Sequence, residues 1–115
     1  MSETVKLNPN DVLMNEGEES KEMYYVQSGN LAVFKRKGDH QQQIGTIMAG
    51  ELVGEMSFID GHPRSATVKA ITETELVVVP RDKFVQMIDS HPKWFRALLN
   101  TILDRLRKAN ARAKI

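Results

Sequence analysis

The chain changes its apolar period once, at Pro80, and that change limits what it can fold into. Before it, short apolar runs alternate with turn residues. Val5 and Leu7 are separated from Val12 and Leu13 by Asn8-Pro9-Asn10, which reads as a strand, a turn and a strand. Met23-Tyr24-Tyr25-Val26-Gln27 is a third strand, closed by Ser28-Gly29-Asn30, and Leu31-Ala32-Val33-Phe34 is its expected hairpin partner. Lys35-Arg36-Lys37-Gly38-Asp39-His40 reads as a charged hairpin tip before Gln41-Gln42-Gln43, and Ile44-Gly45-Thr46-Ile47-Met48 as one more strand. Leu76-Val77-Val78-Val79 has the continuous apolarity of a buried strand, which Pro80 ends. From residue 81 the spacing is helical. Phe84, Val85, Met87 and Ile88 are expected on the inner side of a first helix, and Ser90-His91-Pro92 breaks it. A second helix from about residue 92 to 112 carries the stripe Phe95, Leu98, Leu99, Ile102, Leu103, Leu106, Ala109 and Ala113. Strands first and helices last imply a mainly antiparallel β sandwich or roll followed by two C-terminal helices, in a single domain. The roll is expected over about residues 1–80 and the helices over about 81–113.

The 115 residues suffice for one domain that buries roughly two-thirds of its unfolded surface. No apolar run approaches the ~20 residues of a membrane span, and the first residues hold no signal-peptide core. The absence of cysteine excludes a disulfide framework and thiolate metal sites, which fits the cytoplasm. Charge is uneven beneath a net of +1. Residues 93–115 carry seven basic side chains against Asp104, a local +6 that leaves −5 on the rest. Such a stretch suits either the solvated face of a helix or contact with nucleic acid or acidic lipid. The acidic loop Asn15-Glu16-Gly17-Glu18-Glu19-Ser20 is expected to be solvated and to carry no chemistry.

The densest chemistry lies in residues 50–70. Glu55 follows Gly54, and Arg64 stands nine positions further on. Between them, Met56-Ser57-Phe58-Ile59 is an apolar turn of helix and Asp60-Gly61-His62-Pro63 is turn chemistry. Ser65-Ala66-Thr67-Val68-Lys69-Ala70 then places Arg64 at the mouth of a strand. A glycine allows close backbone approach, and the start of a helix offers N–H groups at a positive dipole end. Arginine matches two phosphate oxygens with its planar fork, whereas a carboxylate needs a donor such as a sugar hydroxyl. Glu55 and Arg64 together therefore suit a sugar phosphate. The same spacing also suits an ion pair that merely closes a loop.

Gly50-Glu51-Leu52-Val53-Gly54-Glu55-Met56 followed by Pro63-Arg64-Ser65-Ala66-Thr67-Val68 resembles the phosphate-binding cassette of cyclic nucleotide-binding domains. That family includes the regulatory subunits of cyclic-AMP-dependent kinase and the bacterial catabolite activators. The resemblance implies a jelly-roll-like β-roll followed by a B helix and a longer C helix. It implies that Glu55 takes the ribose 2′-hydroxyl and Arg64 the cyclic phosphate. Val53, Gly54, Met56, Ser65 and Ala66 complete the implied ligand contacts, with Val53 standing where the family often has phenylalanine. Tyr25, Val26 and Gly29 supply part of the family's Tyr-x-Val-x-x-Gly-x-hydrophobic signature. A gapless alignment of residues 84–110 on the activators' helices puts Ala109-Asn110 where they carry a Thr-Ser pair touching adenine. Asn110, able to donate and accept, is then a candidate adenine contact, although it also suits a helix end. Serine after the arginine, here Ser65, matches the cyclic-AMP-responsive activators, so cyclic AMP is the expected ligand ahead of cyclic GMP.

An enzyme is not expected. His40, His62 and His91 lie in separate turns without metal-ligand spacing, and no nucleophile sits beside a base in a recognisable motif. DNA-binding relatives append a helix-turn-helix module after the C helix; this chain stops at Ile115, so no such module is expected in it. The long stripe of the last helix implies a homodimer. The expected function is that of a regulatory sensor in which ligand binding moves the C-terminal helix. The rival is a degenerate fold that binds partner proteins without nucleotide, whose mark would be loss of the glutamate or arginine; both are present.

Overall fold

The computed structural model describes residues 3–55 and 61–112, the last three of these by backbone alone. Its strands are β1 (Thr4–Leu7), β2 (Val12–Met14), β3 (Glu22–Ser28), β4 (Asn30–Lys37), β5 (His40–Met48), β6 (Leu52–Val53), β7 (Thr67–Ala70) and β8 (Thr74–Pro80). Two helices follow, α1 (Arg81–Asp89) and α2 (Lys93–Arg112). The strands form two four-stranded antiparallel sheets, ordered β1-β8-β3-β6 and β2-β7-β4-β5. The expected class, an antiparallel roll of jelly-roll type with two C-terminal helices, is the one adopted. The chain divides into two compact units, Met1–Arg81 and Asp82–Ile115.

Both sheets contribute to one core. Val26, Leu76 and Val78 come from the first, and Leu31, Val68 and Ala70 from the second. Val26, Leu31 and Leu76 lose all contact with solvent, each burial worth about 1.5–3 kcal/mol. The continuous apolar run of β8 is not buried on both faces. Leu76 and Val78 point into the core while Val77 and Val79 are half-buried, the alternation of a strand with one core-facing side.

The expected β3–β4 hairpin does not form. β3 lies between β8 and β6, whereas β4 lies between β7 and β5 in the other sheet. The turn between them carries the chain from one sheet to the other. Gly29 makes that crossing at φ 88°. A Cβ there would lie 2.4 Å from the Glu73 carbonyl oxygen and 2.5 Å from Thr74 Oγ1. A tight turn reverses the chain but does not oblige the flanking strands to pair, and here distant strands take both flanks of β3. The hairpin that does form joins β4 to β5, with Lys37 opposite His40 and Gly38-Asp39 at the tip. Lys35, Arg36 and Lys37 therefore belong to β4 and not to a loop.

Within the second unit, Ile88 is buried but Met87 is 66% exposed, against its expected inward placement. Met87 stands about 100° around the helix from Ile88, too far to share its buried side. Helix α1 closes on Ser90, whose amide donates to the Gln86 carbonyl at 3.1 Å and whose hydroxyl donates to the Met87 carbonyl at 2.6 Å. His91 then stacks on Phe95, ring centres 5.1 Å apart. In α2, Leu103 is buried and Phe95 and Leu99 are half-buried, but Trp94, Leu98, Ile102 and Leu106 are exposed. The expected stripe is thus split lengthwise. Ala113 and the apolar turn at residues 56–59 lie outside the described residues. No described helix is long and apolar enough to cross a membrane.

The sheet crossing makes a direct prediction. Gly29→Ala combines a left-handed backbone cost of roughly 1–2 kcal/mol with contact against backbone that cannot move aside. Urea unfolding should show a midpoint loss corresponding to about 2 kcal/mol or more, and an unchanged midpoint would refute the crossing geometry.

Candidate functional site

Val53, Gly54, Glu55, Arg64, Ser65 and Ala66 line a single cavity of about 150 Å³. Val53 ends β6 and is 2% exposed, part of the core as well as of the cavity wall. Gly54 turns the chain at φ 79°, and Glu55 after it is half-buried. Glycine is needed at position 54 twice over. Besides the positive φ, a Cβ would lie 2.4 Å from Arg64 Nη1 and 3.2 Å from Met14 Cε.

Arg64 is only 6% exposed. Burying a guanidinium costs several kcal/mol unless its donors are met. Nη1 donates to the Gly54 carbonyl at 3.2 Å and Nη2 to the Glu22 carbonyl at 2.6 Å. The backbone of the same residue is tied to the acidic loop: its amide donates to the Glu18 carbonyl at 2.7 Å, and the Gly17 amide donates to its carbonyl at 2.8 Å. Burial pushes the guanidinium pKa down, while the fields of Tyr24, Glu18 and Glu22 pull it up. Among the described residues, no ion pair joins Glu55 to Arg64. The arginine is held by carbonyl dipoles, so the loop-closing ion pair that the spacing allowed is not formed.

Behind the arginine sits Tyr24, whose hydroxyl donates to Glu22 Oε1 at 3.2 Å. Its phenol is pushed up to about 12, chiefly by burial and then by the charge of Glu22. The tyrosine of the sequence signature is consequently Tyr24 and not Tyr25. Tyr24 is 9% exposed and shares the inward face of β3 with Val26, whereas Tyr25 is 41% exposed.

The acidic loop is therefore not inert, since it clasps the backbone of Arg64. Glu22 and Tyr24 carried a usable signal, because period-two alternation puts them on the face of Val26. The role of residues 17 and 18 had none, being backbone hydrogen bonds. Met56 lies outside the described residues, and Asn110 belongs to α2 with its side chain outside them.

The description "cyclic nucleotide-binding domain" matches residues 4–91. The chain belongs to the cyclic nucleotide-binding domain family. It is 32% identical over 96 residues to a CRP-like cAMP-activated global transcriptional regulator of Mycobacterium tuberculosis, covering 83% of this chain and 43% of that protein. It is also 32% identical over 104 residues to the lysophospholipase NTE1 of Cryptococcus neoformans, covering 90% of this chain and 6% of that protein. The domain thus spans less than half of either relative. Among solved structures, the catabolite activator protein of Thermus thermophilus superposes with a TM-score of 0.79 at 26% identity, over 98% of this chain and 54% of that one. The cAMP-bound form of the EAL enzyme Bd1971 has the same fold, with a TM-score of 0.85 at 24% identity over 97% of this chain and 30% of that one.

The buried phenol of this cyclic nucleotide-binding domain gives a pH prediction. A folded pKa raised from 10 to about 12 contributes stability that is complete below pH 10 and is lost as pH rises through 12. Ultraviolet phenolate titration should show a component near pH 12 that Tyr24→Phe removes. The same variant should flatten the fall in urea-unfolding free energy between pH 10 and 12. A Tyr24 phenol that titrates near pH 10 would contradict its burial.

Proposed function

We propose that this domain binds a 3′,5′-cyclic purine nucleotide in the cavity at Gly54 and acts as a non-catalytic, cytoplasmic sensor. The observation that carries the reading is a buried Arg64, fixed by two carbonyls, facing the same cavity as Glu55 and the Ser65-Ala66 step. Arg64 takes the cyclic phosphate, with Ser65 and Ala66 beside it. Gly54 and Met56 lie along the sugar phosphate, Val53 packs beneath it, and Glu55 accepts from the ribose 2′-hydroxyl. Calorimetry should find one site per chain, and no heat at millimolar cyclic AMP and cyclic GMP would refute the reading. Arg64→Lys, checked for folding by circular dichroism, should lose roughly 10- to 100-fold in affinity, since each charge-assisted bond is worth about 1.5–3 kcal/mol. Glu55→Gln should lose less. An Arg64→Lys protein that folds and binds like the parent would remove the phosphate from Arg64.

Cyclic AMP is the preferred ligand in this reading, supported by Ser65 after the arginine and by Asn110 as an adenine contact. Cyclic AMP should bind several-fold more tightly than cyclic GMP, and Asn110→Ala should narrow the gap. Equal affinities would overturn the preference. Ligand binding is coupled to movement of α2, and α2 pairs with its copy in a homodimer. The exposure of Trp94, Leu98, Ile102 and Leu106, four residues apart along one side of the helix, supports that pairing. Light scattering should give about twice the 13.0 kDa of one chain. A mass of 13.0 kDa at high concentration, with and without ligand, would exclude the dimer.

A further inference from the structure

We propose that Lys35 is a second cationic contact of the cassette cavity, reaching an anionic group such as the cyclic phosphate beside Arg64. The inference rests on the nucleotide-binding reading and deepens it. Strand β4 keeps an unbroken register with β7 along this stretch, pairing Val33 with Val68 and Phe34 with Thr67, while its register with β5 shifts between Val33 and Phe34. Val33 and Val68 line the cavity. Lys35, two residues beyond Val33, shares that face. Phe34 and Lys69 share the other face, where the Lys69 ammonium lies 5.4 Å from the centre of the Phe34 ring. Pleating thus separates the two lysines and puts Lys35 on the face of the cavity-lining Val33.

Its position is held. Lys35 is half-buried, and Nζ donates to the Ser65 carbonyl at 3.1 Å. Ser65 directly follows Arg64 and lines the cavity. An ammonium has three donors, and this bond uses one. The charge balance of the cavity gives the ammonium its purpose. Glu55 stands on the cavity wall, and Glu18 and Glu22 act on Arg64 from behind. Arg64 alone therefore offers an entering anion a weakened positive field. Lys35 adds a positive charge at the Ser65 carbonyl, one residue along the chain from Arg64.

The experiment uses the full chain and its Lys35→Met, Lys35→Gln and Lys35→Arg variants, titrated with cyclic AMP at about 50 and about 300 mM salt, where screening of half-exposed charges differs. Lys35→Met should weaken binding about tenfold at the lower salt, and the gap should narrow at the higher. Lys35→Gln, which keeps an N–H for the Ser65 carbonyl, should lose as much, and Lys35→Arg should stay within roughly threefold of the parent. Parental affinity in Lys35→Met at both salts would overturn the inference and leave the nucleotide reading standing. Parental affinity restored by Lys35→Gln would also overturn it, reducing the lysine to a strut. Should the parent ignore both cyclic AMP and cyclic GMP, the nucleotide reading fails, and inorganic phosphate then tests Lys35 by itself. A phosphate-dependent shift of the Ser65 amide resonance, present in the parent and absent in Lys35→Met, upholds the anion contact. No shift in either protein overturns it.

Discussion

A buried guanidinium sets the terms for the rest of this domain. Arg64 is almost without solvent, beside a core built mainly of valine and leucine. A charge placed there must find donors' partners or unfold its surroundings. It finds carbonyls on Gly54 and Glu22, which accept from its two terminal nitrogens. These bonds hold the guanidinium in one orientation at the wall of the cavity, a disposition suited to anion recognition.

Strand β3 is where the sheet and the site meet. Its amides and carbonyls pair with β8 over most of its length and with β6 at Tyr24 and Tyr25. The carbonyl of Glu22, at its first residue, holds the arginine, and the Glu22 side chain accepts from Tyr24. The opposite end of the same strand leads into Gly29, the crossing to the second sheet. Two glycines with positive φ therefore bracket the architecture. Gly29 lets the chain change sheets against Thr74, and Gly54 lets the cassette lie against the guanidinium. In both cases the missing Cβ is demanded by a neighbour distant in sequence.

The β4–β5 hairpin places charge with equal specificity. Extending β4 through Lys37 converts a run of three basic residues from a tip into a pleated strand, and pleating assigns alternate members to opposite faces. Lys35 is directed to the cassette by that assignment, while Lys69 is directed to the Phe34 ring on the far side. The sheet thus sorts like charges that are indistinguishable by composition.

The class of fold, the order of strands before helices, and the grouping of Gly54, Glu55, Arg64, Ser65 and Ala66 around one cavity were legible in the residues, because turn chemistry and apolar period are local properties. Glu55 and Arg64 were legible as a pair, but spacing alone left an ion pair between them open; the carbonyls of Gly54 and Glu22 take the guanidinium instead. Strand partnership was not legible. β3 and β4 are neighbours in sequence with a turn between them, yet the core places them in different sheets, since pairing is decided by which distant strands bury Val26 and Leu31. The inward tyrosine was recoverable from alternation with Val26. The grip of the acidic loop on Arg64 was not, because it is made by peptide groups that every residue carries. Side-chain chemistry is written in the chain, whereas backbone hydrogen bonds between remote segments exist only once the core has brought them together.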